Sequence, residues 1–452
     1  MAATLGAGGL RDFLGYLATV KGDLSNITAP PFLLSPRSVT EMPVACAERQ
    51  ELFLAPAHED DPEVRALLVL KSFLCSLKRQ GYHATIASSP STSSSSLGGA
   101  KKPLNAFLGE LFLAKFLPSD NYRRRSISSV SNGRANSVGS DTSVNETTED
   151  DSATLLFVEQ VSHHPPATAC YTYNKAHGMS SEGYVAQETS FSPTSGVRVS
   201  QVGYAIVRDT VHNESHLMTL PTLLLKGLLT GRPYPELDGS CYISSSSGYL
   251  ATVGFSGTNT FGMGKRNSFN ARLCSVREEG DSSSNNASVP ANKRQPIYEI
   301  SGQWTGKMTI KDGRTGKVVE EFDVNDVPIS EAQVAPLEKQ SPWESRRAWH
   351  EVIEGIRMGN MEAIARRKAQ IENAQRRMRE VERNAGVEWP RMFFHNKQQP
   401  ILARAIPDES LRSVDPSRTG GVWSFIGIGP AMAILRDGLH FRSLEPTTEL
   451  DV

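Results

Sequence analysis

From Thr154 to Val327 the chain alternates short β-prone runs, such as Thr154 to Val161 and Ile297 to Trp304, with turns rich in Gly, Asn and Ser at fairly regular spacing. No helical pattern intervenes, so these strands cannot be joined by the helical crossovers that parallel neighbours require. The pattern predicts an α+β chain that is mainly β, an antiparallel sheet or barrel rather than a doubly wound fold.

Three stretches are too polar to join that core. Residues 88–99, 123–153 and 278–295 are dominated by Ser, Asn, Gly or charge, and such segments bury too little apolar surface to offset the entropy of ordering. Without them the 452 residues reduce to one domain of large-barrel size with terminal helices. Leu10, Phe13, Leu14 and Leu17 share one helical face, and Gly22 is a natural stop before a Pro-terminated apolar segment ending at Phe32. That element reads either as a helix packed on a core or as a flap over a cavity. Glu63 to Gln80 is expected to be a helix burying Leu67, Leu70, Leu74 and Leu77. Residues 342–385 form a second helical region, with Gly355 and Gly359 suggesting a break. Its later part carries Arg366, Arg367, Lys368, Arg376, Arg377, Arg379 and Arg383 against Glu372, Glu380 and Glu382, a run that by itself reads as a solvated face. Residues 398–452, punctuated by Pro and Gly, receive no assignment.

Charge and cysteine usage narrow the function classes. Lys and Arg total 48 against 49 Asp and Glu, a formal net charge of -1, so no global field draws the chain to nucleic acid and any electrostatic attraction is local. Five scattered cysteines with no C-x-x-C pair argue against a disulfide framework or structural zinc and suit a reducing compartment. The first twenty residues lack a basic stretch before an apolar core, and no apolar run approaches the ~18 residues of a membrane span. A cytosolic protein is expected, and the N-x-S/T sequons are then chance matches.

The most unusual local feature is Glu159 to Pro166, which reads E-Q-V-S-H-H-P-P. Adjacent residues in a strand point to opposite faces, but a break at Pro165 can bring His163 and His164 together. Metal binding would need further ligands, and no Cys/His/Asp cluster accompanies the pair. Nucleophilic catalysis would need a recognisable elbow, and no G-x-S-x-G occurs. Anion binding remains, since a phosphate favours protonated imidazole. No enzyme activity, metal or cofactor is expected.

This octapeptide resembles the signature of the oxysterol-binding protein family. The segment from Lys101 to Glu110 is similar to the family's K-P-x-N-P-x-L-G-E block, with Ala106 in place of the second proline. Gly254 to Gly257 followed by Lys265, Arg266 and Asn267, and Tyr298 to Trp304, add to the likeness, which runs from about Leu10 to Phe394 and is nearest to short fungal members made of the lipid-binding domain alone. The resemblance implies residues 1–397 as that domain, an incomplete antiparallel β-barrel around a hydrophobic tunnel, with residues 1–32 as a lid and a C-terminal helical region.

By resemblance, a phosphatidylinositol 4-phosphate head group meets Lys102, Leu104, Glu110, His163 and His164, together with Lys368, Glu372 and Arg376 in a K-x-x-x-E-x-x-x-R pattern on the late helix. Spacings of four keep those three near one face. Leu24, Ile27, Cys46, Tyr82, Val185 and Gln201 are the candidates for contact with a sterol in the tunnel. Val185 and Glu188 stand where some members place an amide and a lysine, and Cys46 where a bulky aromatic can line the tunnel, which leaves the second lipid open to alternatives such as phosphatidylserine. The implied activity is non-covalent exchange of sterol for phosphoinositide, with transient contact at Golgi or endoplasmic-reticulum membranes; a sensor holding these lipids without net transport is the alternative. Glu320 to Asp326 loosely resembles a two-phenylalanine tethering motif but has one Phe and follows an expected strand, so a structural role is expected. Arg123 to Ser126 is similar to a basophilic kinase site.

Overall fold

The computed structural model describes residues 30–83, 101–117, 152–192, 195–228, 233–258, 264–276, 294–397 and 415–438, together with residues 15, 16 and 19. Strand β1 (Leu34–Ser38) leads through a 3-10 segment, Val39–Cys46, to helices α1 (Gln50–Leu54) and α2 (Pro62–His83). The expected helix from Glu63 to Gln80 is thus present, with Leu67, Leu70, Leu74 and Leu77 buried. Strand β2 (Lys102–Leu104) returns parallel to β1, with Leu34 opposite Lys102 and Ser38 opposite Leu104.

One large antiparallel sheet follows. Its strands are β3 (Leu111–Phe116), β4 (Thr154–His163), β5 (Pro166–Asn174), β6 (Met179–Ser192), β7 (Gly196–Asp209), β8 (Glu214–Thr219) and β9 (Thr222–Lys226). It continues through β10 (Tyr234–Ser245), β11 (Tyr249–Ser256), β12 (Ser268–Ser275), β13 (Tyr298–Gln303), β14 (Lys307–Asp312) and β15 (Val318–Asp323). Almost every strand pairs with its sequence neighbours, while β9 pairs with β7 and β10. This meander is the antiparallel arrangement expected where no crossover helices separate strands. Strands β3 and β15 end the sheet without pairing to each other, so the barrel is incomplete. The β3 edge is covered by an irregular segment, Lys115 and Gln333 exchanging both backbone bonds at 2.8 Å.

Helix α2 fills the concave side. Its Leu70, Phe73, Leu74 and Leu77 pack with Val253, Phe269, Ile300 and Trp304 of the sheet region. A Cβ on Gly81 would lie 3.1 Å from the Trp304 indole, so this last turn of α2 fits closely against that ring. Glu320 and Phe322 belong to β15, with Lys71 paired to Glu320 at 2.6 Å and lying over the Phe322 ring. That placement gives the tethering-like stretch the structural role expected of it.

The late region folds as α3 (Ser345–Ala348), α4 (His350–Met358) and α5 (Met361–Ala385). Gly359, with φ of +67°, ends α4 in the left-handed region, and the Asn360 side chain caps the Ala363 N–H at 3.0 Å. The unassigned terminus contains β17 (Val422–Phe425), paired with β16 (Phe394–Lys397), and α6 (Ile428–Asp437). Val422, Trp423 and Phe425 are buried with Phe157, Tyr184 and Phe393. Among the described residues no helix is long and apolar enough to cross a membrane.

Candidate functional site

A tunnel opens between α2, the Val39–Cys46 segment and the inner faces of β5 to β7, β9 and β10, with about 1370 Å³ of empty space including its open end. Cys46, Val185 and Gln201, three residues expected at the cargo, line it. Three of its polar side chains are engaged with the protein itself. Ser76 Oγ donates to the Phe73 carbonyl (2.7 Å), Gln80 Nε2 to Ser76 Oγ (2.9 Å) and Gln201 Nε2 to the Pro221 carbonyl (2.8 Å). Cys46 and Cys170 sit in the wall. Burial, with Glu48 nearby, pushes the Cys46 thiol up to about 11, and burial raises Cys170 well above its ordinary value. Both therefore act as apolar wall, not as nucleophiles. Leu24, Ile27 and most of the expected lid lie outside the described residues, as do the Tyr82 side chain, Ser126 and nearly all of the three polar insertions.

The two motif blocks dock on one another. Gly109 N–H donates to the Gln160 carbonyl and Gln160 N–H to the Glu110 carbonyl, both at 2.9 Å. Gly109 adopts φ of +81°, and a Cβ there would come within 2.5 Å of Trp389, so both backbone and packing demand glycine. Beneath the histidines, the Glu159 carboxylate accepts the backbone N–H groups of Met392 (2.7 Å) and Phe393 (2.8 Å), while Arg391 Nε donates to the Val161 carbonyl (2.9 Å). Complete burial pushes Glu159 up to about 7, against the opposing pull of those N–H donors.

Strand β4 ends at His163, and β5 begins at Pro166, the first position of a strand being one that proline tolerates. The His163 and His164 ring centroids lie 4.7 Å apart at 73°. Burial, with Arg379 and His164 adding positive charge, pushes His163 down to about 4; burial and Arg379 also lower His164. His163 Nδ1 is buried without a hydrogen-bond partner among the described residues. A place where Arg379 faces two imidazoles, one with a nitrogen left without a partner, is suited to an anion, which supplies both the missing partner and the charge that favours protonation.

Helix α5 supplies the rest. Lys368 is buried and pairs with Glu372, whereas Arg376 is exposed and donates to Asn373 Oδ1 at 3.3 Å. At about 100° per residue, Glu372 stands about 40° from Lys368 around the axis, Arg376 about 80° and Arg379 about 20°. Arg379, set aside as solvated face from its sequence context, is therefore better aligned with Lys368 than Arg376 is. It is half-buried, and its charge reaches both histidines. That corrects the reading of Arg379, whose signal was present in the helical arithmetic.

Two expected head-group residues present no side-chain surface. Leu104 is fully buried with Leu34, Phe107 and Trp349. Glu110 is equally buried and accepts from Thr40 Oγ1 (2.8 Å), Trp349 Nε1 (2.8 Å), Phe107 N–H (3.2 Å) and Ser345 Oγ. Its carboxylate is thus occupied inside the protein, tying the Val39–Cys46 segment and the α3–α4 junction to the turn that follows β2. Lys102 itself is half-buried at the start of β2. Glu188, unusual where some family members have lysine, is held by a two-bond fork from Arg418 at 2.8 and 2.5 Å.

Comparison with known proteins agrees with this geometry. The family model described as "Oxysterol-binding protein" matches residues 15–355. This chain belongs to the oxysterol-binding protein family. It is 35% identical over 390 residues to "Protein kes1" of Schizosaccharomyces pombe, covering 86% of each chain. It is also 40% identical over 411 residues to "Probable transporter efuK" of Hormonema carpetanum, covering 90% of this chain but 51% of that protein. The chain thus spans about half of that relative's length. The fold is shared with the Osh1 ORD domain in complex with ergosterol (TM-score 0.61, 17% identity, 96% of this chain and 89% of that one). It is shared too with the Osh3 ORD of Saccharomyces cerevisiae in complex with PI(4)P (TM-score 0.59, 18% identity, 95% and 92%). The family match stops at residue 355, short of the histidine-facing stretch of α5, so the alignment of Lys368 and Arg379 rests on the helix itself.

Proposed function

We propose that this oxysterol-binding family protein exchanges a sterol for phosphatidylinositol 4-phosphate between membranes, holding one or the other in the same tunnel. The observations that carry this reading are the apolar tunnel and, at the turn from β4 to β5, a pair of histidines flanked by Arg379, in which the buried His163 Nδ1 has no partner among the described residues. The lipid body enters the tunnel, where burial returns about 25 cal/mol per Å² of apolar surface. The phosphate meets His163, His164, Lys102, Lys368 and Arg379, and the guanidinium fork and ammonium neutralise it. Glu372 orients Lys368 and accepts inositol hydroxyls. No covalent step is involved; one shared tunnel makes occupancy mutually exclusive, so a phosphoinositide gradient can drive the second lipid. Members of the fold solved with ergosterol and with PI(4)P support both ligand classes.

Liposome extraction tests the reading. His163→Ala with His164→Ala is expected to abolish phosphoinositide extraction and spare sterol, and unchanged extraction would refute the head-group site. A donor-to-acceptor assay with both lipids separates exchange from sensing, because a sensor binds without transferring.

A further inference from the structure

A second polar pocket lies away from the histidines, with about 810 Å³ of empty space including its open side. It is bounded by β1, the Val39–Cys46 segment, α3 and α4. Its chemistry comes from Arg37, Glu41, Arg346, His350 and Arg357, with Ile353 as an apolar patch. The helical contributors recur in sequence at intervals of four, three and four. Within α4, at about 100° per residue, His350, Ile353 and Arg357 fall within about 60° of one another, so they form one stripe, and Arg346 joins them in the pocket from α3. Arg37 reaches the same pocket from β1.

The ion pairs in the pocket are organised rather than closed. Glu41 Oε2 accepts from Arg346 Nε (3.3 Å) and Nη2 (3.2 Å), fixing that guanidinium, which also lies over the Phe112 ring. Arg357 is steadied by Glu354 from within its own helix at 2.5 Å. Arg37, His350 and Arg357 are exposed. Three guanidiniums and an imidazole therefore surround one carboxylate that belongs to the pocket itself. This is the mixture a phosphorylated ring needs: forked donors for phosphate, an acceptor for hydroxyls and an apolar contact for the ring face.

We propose that this pocket is a second site, separate from the histidine site, for a phosphorylated polyol. The ligand is either the head group of a membrane phosphoinositide or a soluble inositol phosphate. The strand that carries Arg37, β1, is paired in one ladder with β2, which carries Lys102.

The test uses the full chain carrying His163→Ala and His164→Ala, which disables the first site. Two probes are applied: inositol 1,4,5-trisphosphate by calorimetry, and vesicles containing phosphatidylinositol 4,5-bisphosphate by flotation. At least one probe is expected to bind, and adding Arg37→Ala with Arg357→Ala is expected to weaken it about tenfold or more. Replacing the same two arginines by lysine keeps the charge but loses the fork, and should weaken binding by less. Binding of the soluble probe assigns the ligand to solution, and binding of vesicles alone assigns it to the membrane. Absence of both, or binding indifferent to the arginines, overturns the site. Failure of the first site has a different signature, phosphoinositide extraction that survives loss of the histidines.

Discussion

The histidine site and the tunnel's depth are built on opposite terms. At the first, the Arg379 charge bears on two imidazoles and the buried His163 Nδ1 has no partner among the described residues; in the second, Ser76, Gln80 and Gln201 bond within the protein along a mostly apolar wall. The difference teaches where selectivity resides. On the proposed function, a head group is chosen by a small constellation that is incomplete without it, whereas the cargo body is accepted by shape and apolar area, a looser criterion.

The largest expected effect tests whether the charged site depends on the buried network around Glu110. Glu110→Ala leaves the Trp349 indole N–H and the Phe107 N–H without their acceptor in a dry interior, while the Thr40 and Ser345 hydroxyls keep only their mutual bond at 2.5 Å. It should lower unfolding free energy by about 3 to 5 kcal/mol in a urea titration, and a loss below about 1 kcal/mol would mean the network is dispensable. Next, Arg379→Ala is expected to reduce phosphoinositide extraction about tenfold and Arg376→Ala only about twofold; the reverse order would restore Arg376 as the principal contact. Cys46→Trp narrows the tunnel wall and should weaken both lipids, by about fivefold each, with little change in melting temperature. If only one lipid suffers, the two do not share the same depth.

The smallest effect concerns protons. His163 and His164 have folded-state values below the ordinary imidazole value, so the folded protein binds fewer protons there than the unfolded chain. Their unfavourable burial is felt as pH falls below that value, and stability declines on the acid side. A bound phosphate favours the protonated rings, so ligand binding takes up protons. Lowering pH from about 7.5 to about 6.5 should strengthen phosphoinositide binding two- to threefold, and His163→Gln with His164→Gln should flatten that profile.

Much of the fold was legible because its signals are local. Leu67, Leu70, Leu74 and Leu77 mark a helix by periodicity, and the turn-separated strands mark an antiparallel meander. His163 and His164 are adjacent in sequence, so their site announces itself. What escaped depends on distance or on angle. Val422 to Phe425 looked like punctuated tail because the strand is defined by its partner at Phe394 to Lys397 and by aromatic neighbours such as Phe157. Arg379 escaped because a spacing of four seems to stay on one face but drifts by about 40° each time, while eleven residues nearly close three turns. Glu110 looked like a ligand because a motif does not say whether its carboxylate faces out or into the protein.

The Glu159 clamp has a consequence for anyone transplanting this site. The strand that presents the histidines is pinned by backbone donors of Met392 and Phe393 and by the Arg391 guanidinium, more than two hundred residues away in sequence. A graft of the eight-residue motif alone would carry the imidazoles and a carboxylate with nothing to hold. The smallest portable unit is discontinuous: the motif together with the short stretch that buttons onto its underside.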